Sequence, residues 1–108
     1  MKKWLKLTLA IACLVLLYYV SVITLTYYHE NVHVAIYDSY GIKSEAVLNY
    51  LDGSGKTYAE EPCPIDSQCD VLHNWNEIIT YNLTAFVDNL WAMLLFVLVW
   101  MTFVRRIK

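Results

Sequence analysis

Two long stretches of this chain carry almost no charge, and they constrain what it can fold into. No charged residue occurs among the 22 positions from Leu7 to Tyr28, and Asp88 is the only one among the 27 positions from Ile78 to Val104. An α-helix rises about 1.5 Å per residue, so roughly 20 apolar residues cross a bilayer core about 30 Å thick. Each stretch is long enough to cross once. A chain of 108 residues has too little interior to hide two such segments, which argues against a soluble globular domain. With 58% hydrophobic residues and only three Gly and two Pro, a linker or low-complexity tail is excluded as well.

The order of the charges gives an orientation. Lys2, Lys3 and Lys6 precede the first stretch, and Arg105, Arg106 and Lys108 follow the second. Between the stretches, two lysines (Lys43 and Lys56) stand against nine acids. Cytoplasmic flanks collect Lys and Arg, so this pattern predicts a cell-membrane protein with both termini cytoplasmic and the acidic segment outside. The chain divides into a cytoplasmic tail and first span (1–28), an external segment (29–77), and a second span with its cytoplasmic tail (78–108). No basic patch interleaved with aromatics exists, so nucleic acid is not an expected partner. The first apolar stretch is longer than a signal-peptide core and no small-x-small cleavage site follows it, so it reads as an uncleaved anchor.

Within the external segment, Cys63 and Cys69 bracket Pro-Ile-Asp-Ser-Gln. In an oxidising compartment they form a disulfide closing a short loop. The competing reading, a pair of soft metal ligands, needs a spacing wider than that of common zinc knuckles. Cys13 lies mid-span as a small packing residue.

No Gly or Pro interrupts the chain from Thr26 to Tyr40, and Gly41 is the first residue suited to a helix C-terminus. One helix is therefore expected from about Lys3 to Tyr40, projecting beyond the membrane. Glu45–Leu51 and Lys56–Glu60 flank Asp-Gly-Ser-Gly and predict a small β-hairpin packed on the protruding helices. A second helix is expected to start at Asp66 or Ser67, good N-cap residues, and to end near Arg105. Its polar residues His73, Glu77, Tyr81, Thr84 and Asp88 recur at helical spacing and predict a face turned from lipid. The fold class is thus mainly α and integral to the membrane, with a small external hairpin and disulfide loop.

The chemistry is concentrated in His29-Glu30-Asn31-Val32-His33, an HExxH sequence. Residues four apart share a helix face, so both imidazoles can hold one metal ion with Glu30 beside it. The bland alternative is two interfacial histidines and a solvated glutamate. A third ligand is sought by height. His33 stands about 40 Å above Lys6, and Glu77 about 42 Å above Arg105. His73 stands one turn higher, so Glu77 is the expected third ligand and His73 its rival.

HExxH followed by Asn76-Glu77 resembles the two-part signature of gluzincin metallopeptidases, the thermolysin-like group. The resemblance implies zinc held by His29, His33 and Glu77, with Glu30 as general base on a zinc-activated water. The acidic residue that pattern places four positions after the ligand glutamate is Tyr81 here, which leaves the partner of the ligating histidine open.

Asp88 is an acid within a span, a functional-site candidate by default. Pairing with Tyr18, Thr24 or a second subunit weighs equally with catalysis. Trp75, Trp100, Tyr27 and Tyr28 read as interfacial belt residues. The leading expectation is a membrane-anchored zinc hydrolase acting on a peptide or protein substrate. Its rival is a non-catalytic small subunit of a larger membrane complex with a structural or empty metal site. Either way two helices bury little surface, so an oligomer or partner is expected.

Overall fold

A computed structural model describes residues 2–104, so the C-terminal basic cluster and the expected helix end near Arg105 lie outside the described residues. The order of elements is helix α1 (Lys3–Ser39), strands β1 (Ser44–Asn49) and β2 (Ser54–Ala59), and helix α2 (Cys69–Phe103). The two helices run side by side in a body of 66 × 21 × 15 Å. Both are long and apolar enough to cross a membrane.

Their side chains suit such a setting. Most large apolar residues on both helices face outward, from Val15 and Leu16 on α1 to Phe96 and Trp100 on α2. The hydroxyls of Thr8, Ser21, Thr24 and Thr102 each donate to the carbonyl one turn back, so none needs water. Trp4 packs on Phe103, ring centroids 5.4 Å apart, and marks the lower end of the pair.

The end of α1 follows from Gly41. At φ +72° it takes the left-handed conformation that costs glycine least. Gly41 N–H then reaches Asp38 O, and Ile42 N–H reaches Tyr37 O, both at 3.0 Å. This is a Schellman closure, and its apolar follower Ile42 is buried.

The start of α2 differs from expectation. It begins at Cys69 rather than at Asp66 or Ser67, because Asp66 adopts φ +60°, which no right-handed helix accommodates. Ser67 still serves the helix start: its Oγ accepts from Cys69 N–H at 3.3 Å and donates to Pro64 O at 2.7 Å. Cys63 and Cys69 form a disulfide with Cα atoms 5.5 Å apart. The sulfurs are bonded to each other, so in this form they are not the alternative pair of soft ligands, although His73 lies close to both.

β1 and β2 pair antiparallel with Glu45 opposite Tyr58 and Val47 opposite Lys56. Tyr50 and Leu51, expected to lie in the first strand, belong to the turn, whose Gly53 at φ +74° donates to Asn49 O. Within it Ser54 donates both its hydroxyl and its N–H to Asp52, holding that carboxyl below its ordinary pKa. Alternate residues of each strand turn toward α1. The hairpin docks lower on α1 than a boundary at residue 28 implies. Tyr19 donates its hydroxyl to Tyr50 O, and Thr26 Oγ1 donates to Gly53 O at 2.6 Å. Gly55 packs against Thr26 and Glu30, so closely that a Cβ there would meet their carbons at 2.8 and 2.9 Å. The hairpin is thereby pressed onto the turn of α1 that carries Glu30.

Candidate metal centre

Helical spacing brings His29 and His33 onto one face of α1, and α2 supplies Glu77 opposite them. His29 Nε2 and His33 Nε2 lie 3.3 Å apart, and Glu77 Oε1 lies 3.1 Å from the first and 2.7 Å from the second. Those three sides define a circle of radius about 1.8 Å, inside the roughly 2.0–2.1 Å reach of zinc–nitrogen and zinc–oxygen bonds. The three atoms are therefore close enough together to reach one such ion. Two imidazoles and one carboxylate are also a donor set of catalytic zinc sites, which leave a position open. The residues could hold a metal ion of this kind.

Both rings are fixed from behind. His29 Nδ1 is 2.8 Å from Thr80 Oγ1, and His33 Nδ1 is 2.6 Å from His73 Nδ1. Were each Nε2 to ligate a metal, Nδ1 would carry the proton and donate it to these partners. Asn76, buried on α2, donates its amide to His29 O at 3.0 Å and ties the two helices together at this level. The residue hydrogen-bonded to His29 Nδ1 is thus Thr80, not Tyr81.

Tyr81 does not join the inner face. It is 78% exposed, because eight residues of helix carry it about 80° round from His73. The inward line is His73, Asn76, Thr80, Thr84 and Val87 instead, while Asp88 stands at its edge and accepts Tyr18 Oη–H at 2.6 Å. Within the chain Asp88 pairs with Tyr18 rather than Thr24, whose hydroxyl donates to Val20 O.

His73 lies behind the cluster rather than in it. Its ring stacks on His33 with centroids 4.8 Å apart and rests against Tyr37 at 4.3 Å. Burial, and then the neighbouring His33, push its pKa down, partly offset by Asp70 and Glu77. Its Nε2 is buried without a hydrogen-bond partner among the described residues.

Glu30 is buried, 6% exposed, an unusual position for a carboxylate. Thr57 of β2 donates to its Oε2 at 2.5 Å, and Oε1 lies 3.7 Å from His29 Nε2. One oxygen is therefore held and the other faces the cluster. The spacing between Thr57 and Glu30 gives no local sequence signal, so only the docked hairpin reveals the pair. Glu30, His33, Glu77 and His73 line an open cleft of about 350 Å³, which Lys56 and Tyr58 of β2 border.

Comparisons with protein-family models, curated proteins and solved structures found no match to this chain.

Proposed function

We propose that this chain is a membrane-anchored zinc hydrolase, a metallopeptidase, working at the outer face of the bilayer. The convergence of His29 Nε2, His33 Nε2 and Glu77 Oε1 beside the buried Glu30 carries the reading. Both helices cross the membrane in this proposal, with the termini cytoplasmic and residues 29–77 external, as the charge order favours. The hairpin turn then meets the headgroups, where the exposed Tyr50 and Leu51 suit the interface. A cysteine at Ser54 should label from outside, and one at Lys2 should not.

Zinc, when bound, supplies Lewis acidity that makes a coordinated water a nucleophile near neutral pH. His29, His33 and Glu77 would hold the ion, and Thr80 and His73 would keep the two rings in the ligating tautomer. Glu30 takes up the water's proton at Oε1 and can return it to the leaving amine, while Thr57 holds Oε2. β2 offers a track for an extended substrate. Glu60 N–H bonds Lys43 O, and by antiparallel alternation the main-chain groups of Thr57 and Ala59 turn to the open edge.

Glu30→Gln tests this reading, because it preserves shape but cannot accept a proton. It should keep zinc at wild-type stoichiometry and lose about 100- to 10,000-fold of turnover on a mixed peptide library. Glu77→Ala should lose the zinc itself. If Glu30→Gln loses zinc, Glu30 is structural and the hydrolase reading falls. A wild-type protein that holds zinc but cleaves nothing favours the rival, a non-catalytic membrane-complex subunit, which the exposed Asp88 also supports.

A further inference from the structure

Asp88 and Tyr18 lie far below the metal cluster, and nothing in the proposed hydrolysis uses them. Tyr18 lies in the charge-free stretch of α1, below the level at which the hairpin turn docks on Val22 and Ile23, and Asp88 is the single charge in the apolar stretch of α2. Beside them runs an open groove of about 270 Å³ walled by Ile11, Leu14, Val15, Trp91, Ala92 and Leu95. The walls are apolar, and the carboxylate is the one charge in them.

Asp88 is exposed on this face, and its Oδ1 accepts the Tyr18 hydroxyl at 2.6 Å. A carboxylate offers about four acceptor sites, so one hydroxyl leaves most of them empty. In hydrocarbon such a group is costly unless paired, and acids at that depth normally face a partner. Among the described residues the helix pair gives it one hydrogen bond, from Tyr18, and no positive charge.

We propose that this groove is the docking site for a membrane-spanning helix of a different protein, bearing one lysine or arginine at the depth of Asp88. Charge complementarity selects the cation, and the chain's own sequence rejects a second copy. Neither charge-free stretch contains a Lys or Arg, so another copy brings to this depth only a second Asp88 and Tyr18. Like charges at close quarters oppose association. Ala92 in the wall leaves room for the incoming backbone to approach closely. The inference rests on the membrane-spanning part of the proposed function and is independent of the zinc chemistry.

The test uses the full chain in lipid nanodiscs and a fluorescent Leu/Ala transmembrane peptide carrying one lysine in its outer half, at the depth of Asp88. A peptide with leucine in place of that lysine is the control. The expected result is at least tenfold tighter association of the lysine peptide, abolished by Asp88→Asn. Ala92→Trp, which fills the groove and leaves the carboxylate in place, should abolish it too. Equal association of both peptides overturns the proposal. So does self-association of the chain that Asp88→Asn removes, because the occupant is then a second copy. Release of the chain from membranes by alkaline carbonate overturns the membrane reading beneath it, whereas equal binding by a carbonate-resistant chain overturns the docking site alone.

Discussion

Replacing Gly55 by alanine tests whether the hairpin's contact with α1 places Glu30. An added Cβ meets Thr26 Cγ2 at 2.8 Å, Glu30 Cγ at 2.9 Å and Leu48 Cδ2 at 3.0 Å. Ordinary carbon contacts are about 3.5–4.0 Å, so the strand must lift by roughly 0.5–1 Å. Gly55 does not have a positive φ, so the substitution strains no backbone torsion and the effect is steric alone. Overpacking of this size costs about 1–3 kcal/mol. Hairpin amides should therefore exchange about 5- to 150-fold faster, at 1.4 kcal/mol per tenfold.

The same displacement loosens Thr57 from Glu30 Oε2 and shifts the carboxylate, because Glu30 Cγ is one of the three atoms struck. A 1 Å error in a catalytic group costs up to about 100-fold in rate. The zinc ligands come from α1 and α2, so metal stoichiometry should not change. Hydrogen exchange read by mass spectrometry, alongside zinc analysis and peptide turnover, measures all three. Unchanged exchange across residues 44–59 with full turnover would refute the claim that the hairpin positions Glu30. Loss of zinc would refute the separation of ligands from hairpin.

Thr80→Val removes the hydroxyl at His29 Nδ1 and keeps the volume, so zinc should bind about 10- to 100-fold more weakly in a competition titration; Thr80→Ser should restore most of it. Cys63→Ser opens the loop closed onto Cys69, and should lower the stability of the external segment by about 2 kcal/mol, seen as faster exchange from Cys69 to His73.

Much of the site was legible because its signals are local. HExxH on a helix needs only the four-residue period, and the Schellman end needs only a glycine after a long uninterrupted helix. The helix start and the inner face of α2 were read less well, since both depend on small rotations. A left-handed Asp66 delays the helix to Cys69, and steps of four drift past 3.6 until Tyr81 leaves the face that Thr80 occupies. The partners of Glu30 and His29 were not legible at all: Thr57 and Thr80 are ordinary residues far along the chain, and only packing brings them in.

The choice of Glu77 over His73 rested on height, but the structure places His73, not Glu77, at the level of His33, so height alone does not separate the two. The lower end of the helix pair is marked by Trp4 against Phe103. His33 lies 29 residues above Trp4, and Glu77 lies 26 residues before Phe103. The mismatch of three residues is about 4–5 Å along the axes, which the lengths of a histidine and a glutamate side chain together bridge. His73 lies one turn nearer the level of His33 Cα, yet it meets the far side of that ring at Nδ1. An imidazole pointing its Nε2 at a metal on one side presents Nδ1 on the other, so a residue level with the ligand lies behind it. A third ligand for such a metal would instead come from the level between His29 and His33, where both Nε2 atoms converge. Glu77 Oε1 is there, within hydrogen-bonding distance of both.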